Sequence, residues 1–361
     1  MRICVAAETV LHEHRVALVP DSVAKLVHAG HEVVVQRGAG AAAFFDDVSY
    51  VAAGAVIAAD EAAAVVGADV VLRVQRPDAR EIALMPEGVT LVCLMQPASA
   101  RSVLDLLAAR QITVLALEQV PRITRAQSMD VLSSQATVAG YKAVLIGASM
   151  LPRFLPMLTT AAGSITPAKA FVIGAGVAGL QAIATARRLG AVVSGFDVRS
   201  AAAEQVKSLG ASFVATDLVN VNSESTGGYA AVQSDDEQTR TLVAIGRHIK
   251  DQDLVITTAA IPGRAAPRLI TAEMVRSMRA GSVIVDLAAE TGGNCELTQL
   301  GETVLVHGVS IVGASNLPAT MPTHASQMYS RNVLTLLQHL TKSGTFQLDL
   351  ADEITQAMVL T

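Results

Sequence analysis

Between Pro121 and Asp130 the chain reads PRITRAQSMD, with two arginines, a glutamine, a serine and an aspartate but no His, Cys, Lys or Glu. Arg122, Arg125, Gln127 and Asp130 supply the planar donors and acceptors that orient a polar ligand. The stretch offers no evident general base, so it poses the question of which reaction needs orienting groups alone. The strand-like run ITVLALEQV precedes it, and LSSQAT, read as a second polar turn, follows it.

A second constellation lies at GAGVAG, where Gly174, Gly176 and Gly179 stand in G-x-G-x-x-G spacing. The strand-like KAFVIG leads in, the helix-like LQAIATARRLG leads out to Gly190, and the next strand ends at Asp197. Gly174 suits a tight turn, Gly176 lets backbone N–H groups approach a pyrophosphate, and Gly179 lets the helix pack closely on the strand. The helix N-terminus then faces the negative charge. Asp197, about 20 residues beyond the first glycine, is placed to accept from adenosine ribose hydroxyls and to repel a 2′-phosphate, which selects NAD(H) over NADP(H). Clefts between domains are where nicotinamides sit, and PRITRAQSMD lies where one α/β domain hands over to the next. A solvated loop making only structural bonds is the alternative.

Other polar groups are less telling. RGAGAAAF, near Gly38, copies the glycine spacing after a strand, but FFDDVSY follows it rather than a helix, so no dipole is expected to face a phosphate. Asp286 and Glu290, in VDLAAETGG, end a strand at a carboxyl edge and read equally as catalytic carboxylates or as an ordinary polar strand end. None of the eight histidines has a metal-ligand partner at helical or turn spacing, and no metal site is expected.

A chain of 361 residues is too long for one ordinary core, which points to two domains. Hydrophobic residues at 51% and a mean hydropathy of +0.44 suggest a membrane protein at first. The long apolar run YVAAGAVIAA covers only about half a span before Asp60 and Glu61 close it. The alanine and valine excess instead suits strands buried on both faces, so a soluble chain is expected. MRICVAAE is too short and too soon charged for a signal peptide. Cys4, Cys93 and Cys295 form no paired motif and read as free buried thiols in a reducing compartment. A net charge of −5, 3% aromatic residues and no tryptophan give no reason to expect nucleic acid.

The elements that must position these residues alternate. RICVAAE, EVVVQRG, DVVLRV, TLVCLM and ITVLAL read as strands separated by helix-like runs, and KAFVIG, VVSGFDV, SFVATD, DLVITTA, SVIVDLA and SIVGAS repeat the style. This predicts an α/β protein of two doubly wound, Rossmann-like parallel-sheet domains with a cleft between them. The expected division is 1–133 plus 318–361 for the N-terminal domain, with the long amphipathic helix ASQMYSRNVLTLLQHLTKSG packing back on it. Residues 134–317 form the NAD(H)-binding domain. The polar segment 220–240, with Gly227-Gly228, is expected to be a mobile surface loop.

PRITRAQSMD, GAGVAGLQAIATARRLGA, FDVR, GGYA, TTAAIPG and VDLAAETGGNC together resemble the NAD(H)-binding alpha-subunit component, domain I, of proton-translocating NAD(P) transhydrogenase. The resemblance runs from RVALVP to the final residues, and RAQSMD is its most specific element. It implies that Arg122, Gln127 and Asp130 orient two nicotinamides, with Arg125 and Ser133 as nearby cofactor contacts. Gly174, Ala175, Gly176, Val177 and Gly179 match the pyrophosphate turn, and Asp197, Val198 and Arg199 match the adenosine side. Gly228 and Tyr229 match a loop that closes over nucleotide, and Ala260 in TTAAIPG matches a further contact. The family's methionine soon after that tyrosine has no counterpart in GGYAAVQSDD, and ITQAMVLT ends short of the tail the resemblance leads one to expect. Hydride passing directly between nicotinamide rings moves no proton at a substrate heteroatom, so a loop of Arg, Gln and Asp meets its requirements.

Such a chain lacks a second fingerprint for NADP(H) and lacks membrane helices. The resemblance therefore implies partners on separate polypeptides, one conducting protons through a membrane and one binding NADP(H). It also implies a homodimer held peripherally at the inner, cytoplasmic face of that membrane. Alanine dehydrogenase shares both domains and is the second reading. Its carboxylate-holding position is Arg15, its lysine position is Arg73, and its histidine region falls at Met95 or Gln96. A fixed arginine is a poor base at neutral pH. A non-catalytic NAD-binding assembly subunit is the third reading.

Overall fold

The structure, a computed structural model, describes residues 1–214, 234–260, 264–342 and 345–361. The chain divides into two compact units, 1–135 with 318–361, and 136–317.

The first unit carries strands β1 (Arg2–Val5), β2 (Glu32–Gln36), β3 (Val56–Ala58), β4 (Val70–Gln75), β5 (Thr90–Leu94) and β6 (Thr113–Ala116). Helices α1 (Pro20–His28), α2 (Asp47–Ala52), α3 (Glu61–Val65), α4 (Ala79–Leu84) and α5 (Arg101–Ala109) run between them. The strands lie in the order β3-β2-β1-β4-β5-β6, all parallel. The period-2 alternation of a strand splits the core in two. Ile3 and Val5 face one buried cluster with Val33, Val35 and Leu72, while Cys4 faces the other with Val34, Val71 and Leu91. Burial on both faces explains why these strands read as unbroken apolar runs.

Helix α6 (Val131–Met150) carries the chain into the second unit. There follow the hairpin β7 (Leu158–Thr160) and β8 (Gly163–Ile165), then β9 (Lys169–Ile173), α7 (Val177–Arg188), β10 (Val192–Phe196), α8 (Ser200–Ser208) and β11 (Ser212–Phe213). After these come α9 (Asp235–Ile249), β12 (Leu254–Thr257), α10 (Ala272–Ser277), β13 (Val283–Asp286), β14 (Thr303–Val306) and β15 (Val309–Gly313). The sheet order is β11-β10-β9-β12-β13-β15-β14, parallel except for β14, which pairs antiparallel with β15. Both sheets thus reverse direction beside their first strand, the doubly wound pattern that places ligands at the carboxyl ends of the strands. The chain then returns to the first unit as α11 (Pro322–His339) and α12 (Glu353–Met358). Tyr329, Val333 and Leu336 of α11 join the same cluster as Ile3 and Val5. Val359 bridges Leu115 and the Leu360 N–H donates to Val114 O, which covers the otherwise bare edge of β6.

Three expectations from sequence need correction. LSSQAT is helix, not turn, because Asp130 caps it: the Ser133 N–H donates to Asp130 Oδ1 at 2.9 Å and the Ser134 hydroxyl back-bonds to Val131 O. Residues 235–240 open α9 rather than ending a loop, since Ser234 and Glu237 form a reciprocal capping box ahead of three acidic residues that favour a helix N-terminus. FFDDVSY contains the start of α2, whose first turn is closed by the Asp46 carboxylate accepting from the Ser49 N–H. The glycines before it serve packing: a Cβ on Gly40 would lie 2.7 Å from the buried Tyr50 ring. Among the described residues, no helix is long and apolar enough to cross a membrane.

Helix α6 approaches α7 so closely that a Cβ on Gly140 would lie 2.1 Å from Ala178 O. That neighbour is backbone and cannot rotate away. Gly140→Ala is expected to destabilise the second unit by about 2–3 kcal/mol, read as a lower urea midpoint. An unchanged midpoint would mean the two helices separate freely.

Candidate functional site

The glycine turn between β9 and α7 is built around two atoms. Gly174 has φ +94, and its N–H donates to Phe196 O while its O accepts from Thr258 Oγ1 at 3.0 Å. A side chain would be strained at that φ. Gly179 lies on the next turn, where a Cβ would sit 1.8 Å from Gly174 O. Gly176 is different in kind, since a Cβ there would meet nothing within 4 Å. Packing therefore demands glycine at 174 and 179, whereas at 176 it leaves a side chain's space open, as a closely approaching ligand requires. Gly176 also begins α7 without a side-chain cap, and Val177 beside it is exposed. The residues present thus fit a pyrophosphate on the helix N-terminus. Ala260 follows β12 at the same sheet edge and is exposed.

Asp197 follows β10 and is 7% exposed. Its Oδ2 accepts from the Ala175 N–H at 2.7 Å, which ties the carboxylate to the turn itself. Its other partner is Arg199, whose N–H and Nε donate to Oδ1 and whose Nη2 donates to Oδ2, each at 2.9 Å. Val198 between them is partly buried against the apolar cluster of Phe196 and Ile173. Gly228 and Tyr229 lie outside the described residues.

Asp286 is fully buried and is the polar strand end of the two readings. It accepts from Thr257 Oγ1 at 2.9 Å, the Ala288 N–H at 3.0 Å, the Cys295 N–H at 3.0 Å and Thr298 Oγ1 at 2.6 Å. Glu290 is exposed and accepts from the Asn316 N–H at 2.9 Å. Sequence reading missed Thr258 and Asn294. Asn294 is fully buried; its amide exchanges two hydrogen bonds with the Ala259 backbone and donates a third to Pro267 O, fixing the loop after β12. The TTAA and GGN strings are their only sequence signal, and neither specifies a partner.

In the first unit, residues Thr124–Met129 form a 3-10 stretch. Ala126 and Met129 are buried in the core, while Arg122, Arg125 and Gln127 are exposed. The Gln127 amide makes no hydrogen bond to the described residues. Arg125 is committed to Asp352 Oδ1 at 2.6 Å and to Glu353 Oε1 at 3.0 Å. Asp130 accepts from both the N–H and the hydroxyl of Ser133, the latter at 2.6 Å, so Ser133 holds Asp130 in place.

A buried charge network occupies the carboxyl ends of β1 and β4. Arg73, 1% exposed, donates to Glu61 Oε1 at 2.7 Å, to Glu81 Oε1 and to Ala7 O at 3.1 Å. Arg15, 3% exposed, is clasped by Glu13 through two charge-assisted bonds of 2.7 and 2.8 Å and donates to Gln135 Oε1 at 2.8 Å. Met95 is buried, and Gln96 is exposed with φ +53. Neither arginine is placed as a base. All three cysteines are buried, and burial pushes the Cys4 thiol up to about 12, so thiolate chemistry is not available there at neutral pH. Among the described residues, no group of three or more His, Cys, Asp or Glu side chains is placed to hold a metal ion.

Two tests follow from this geometry. Gly176→Ala is expected to leave the thermal midpoint nearly unchanged and weaken NADH binding tenfold or more, whereas Gly179→Ala lowers the midpoint by about 4 °C or more. Calorimetry and titration on both variants would show it, and equal losses of stability would remove Gly176 from the nucleotide site. Glu8 accepts from the Val74 and Gln75 N–H groups at 2.6 and 3.1 Å, and burial pushes its carboxyl from the ordinary 4.5 up to about 7. The folded chain then holds a proton that the unfolded chain has already released, so stability falls as pH rises between those two values. Urea midpoints for the parent and Glu8→Gln should diverge by roughly 2 kcal/mol across that window, and parallel curves would contradict the shift.

Comparison with known proteins agrees with this geometry. Residues 4–139 match the family description "Alanine dehydrogenase/PNT, N-terminal domain" and residues 143–361 match "Alanine dehydrogenase/PNT, C-terminal domain". The chain is 46% identical to the first of the polypeptides that make up NAD(P) transhydrogenase subunit alpha in Rhodospirillum rubrum, over 100% of this chain and 96% of that one. It is 32% identical to an alanine dehydrogenase of Halomonas elongata, over 98% and 91% of the two chains. It superposes on the crystal structure of a transhydrogenase from Sinorhizobium meliloti with a TM-score of 0.90 and 46% identity, covering 100% and 98% of the two chains.

Proposed function

The chain belongs to the alanine dehydrogenase/PNT family, and from that premise we propose that it is the NAD(H)-binding component of an NAD(P) transhydrogenase. In this reading it exchanges hydride between NADH held here and NADP+ held by a partner component, coupled to proton movement through membrane partners. The observation that favours this over an amino-acid dehydrogenase is Arg73. At the position where the second reading needs a base, a guanidinium is sealed between Glu61, Glu81 and Ala7 O, and an arginine so paired neither accepts a proton nor reaches a substrate.

When bound, the dihydronicotinamide supplies the hydride, and the chain's residues supply position. Gly176 and the first turn of α7 hold the pyrophosphate through backbone N–H groups. Asp197 accepts from the adenosine ribose hydroxyls, with the Arg199 side chain giving up its hold on the carboxylate, and Val198 and Ala260 line the nucleotide. Arg122, Gln127 and Asp130 orient the nicotinamides, and Ser133 fixes Asp130. Gly228 and Tyr229 close over the nucleotide. No residue of the loop moves a proton, because direct hydride transfer calls for alignment and exclusion of water. The protein acts as a homodimer attached through its partners to the cytoplasmic face of the membrane.

The experiment is stopped-flow mixing of this chain and NADH with the NADP(H)-binding component carrying NADP+, using a spectrally distinct NAD analogue. Fast transfer that needs both proteins is expected. Gln127→Asn should slow it by about tenfold while NADH affinity changes by less than about twofold, because a shortened amide misplaces the ring without removing the binding turn. No transfer in the mixture, together with NAD+ reduction by L-alanine with this chain alone, would replace this reading with the second one.

A further inference from the structure

We infer that Arg125 and Asp352 form a clamp that positions the Arg122–Asp130 loop, Asp352 acting through Arg125 and not on nucleotide. The inference rests on the proposed role of that loop.

A six-residue 3-10 stretch such as Thr124–Met129 has poor hydrogen-bond geometry and does not fix its own orientation. It depends on ties from outside. Two are apolar, Ala126 and Met129, which are buried in the core of the unit. A third is the Asn332 amide of α11, which donates to Ser128 O at 2.8 Å. All three anchor the inward side. On the outward side, which presents Arg122 and Gln127, Arg125 supplies a charged tie two positions before Gln127.

What Arg125 grips is itself immobile. Asp352 is the N-cap of α12, its Oδ2 accepting from the Thr355 N–H at 3.2 Å and pairing with His339 Nε2 at 2.9 Å. Burial would raise this carboxyl, but the hydrogen bonds from His339 and Arg125 outweigh it and hold the group well below the usual carboxylate range. Asp352 is therefore an anion at neutral pH. Helix α12 is fixed by the buried Ile354, Thr355 and Met358, and the residues after it run along β6. Glu353 adds a second acceptor, engaged by Arg125 Nη2 at 3.0 Å and Nε at 3.3 Å. Two carboxylates on one helix N-terminus thus match the planar fork of a guanidinium, which fixes direction as well as distance.

The physical consequence separates this role from a structural one. Arg125 is 48% exposed, and exposed ion pairs of this kind stabilise by only about 0–1 kcal/mol. Removing the clamp should barely move stability, while an error of about an ångström at a reacting centre costs up to 100-fold in rate.

The test compares Arg125→Ala, Asp352→Asn, their combination, Arg125→Lys and the direct loop variant Gln127→Asn. Each is taken through single-turnover hydride transfer with the NADP(H)-binding component, NADH titration and urea unfolding. Asp352→Asn keeps an acceptor for the Thr355 N–H, so α12 remains capped. Each clamp variant is expected to slow transfer by about tenfold, with NADH affinity changed by less than about twofold and the urea midpoint nearly unchanged. The double variant should be no slower than either single one, and Arg125→Lys should recover part of the rate, its charge kept but its fork lost. If Gln127→Asn slows transfer and the clamp variants do not, the clamp is overturned and the loop's role stands. Where no variant slows transfer, including Gln127→Asn, the loop reading fails and the clamp with it. Loss of NADH affinity in step with rate would make Arg125 a direct nucleotide contact and overturn the positioning role, as would losses that multiply in the double variant.

Discussion

Parallel strands that stop at their carboxyl ends leave backbone N–H groups without a ladder partner, and this chain meets them with carboxylates reaching across from a neighbouring strand end. Glu8, after β1, accepts from Val74 and Gln75 of β4. Glu118, after β6, accepts from the Met95 and Gln96 N–H groups after β5. Asp197, after β10, accepts from the Ala175 N–H after β9, and Asp286, ending β13, takes the Thr257 hydroxyl of β12 as well as its own loop. A buried unpaired amide would cost about 1–3 kcal/mol at each place. The loops of both sheets are therefore fixed at the edge where doubly wound proteins bind their ligands.

The same device sets what each unit can do. In the first unit the carboxylates draw arginines inward, and Arg15 and Arg73 end in closed pairs that are strongly hydrogen-bonded and chemically inert. The carboxyl edge of that sheet is filled by the chain's own charges. In the second unit the carboxylate beside the glycine turn is tied by one backbone N–H and one arginine, and the arginine is an exchangeable partner. An open position at Gly176 beside a fixed Asp197 is what a dinucleotide with a pyrophosphate and a ribose diol would meet. The loop at Arg122–Asp130 follows a different rule, apolar on its inward residues and polar on its outward ones, with Asp130 doubling as the cap of α6. Orientation there comes from anchoring on one side and presentation on the other, a division that suits alignment better than acid–base chemistry.

How far such features can be read in the sequence depends on how local their cause is. The α/β class is legible because apolar strand runs alternate with amphipathic helices, and the glycine turn because its spacing encodes a strand, a turn and a helix N-terminus within a few residues. The helix starts at Val131 and Asp235 are easily misread although their signals are local: polar first turns resemble loops unless Asp130 and the Ser234–Glu237 box are recognised as caps. The short strand β3 and the antiparallel β14 escape sequence reading, the first because three residues carry no period and the second because its alternating half-exposed pattern differs from its buried neighbours.

By itself, then, the sequence determined the class of fold, the dinucleotide turn with its acidic partner, and a loop of orienting residues without a base. These depend on contacts between residues near one another in the chain, where spacing is geometry. Only the tertiary structure decided that Arg73 is sealed, that Asp286 is a structural knot, that Arg199 occupies Asp197, and that Arg125 is held by α12. Each of those depends on residues far apart in sequence meeting at a strand end or a helix cap, or on which of several possible partners a charge finds when it is buried. Residue type fixes what a side chain can bond to, but packing fixes which bond is made.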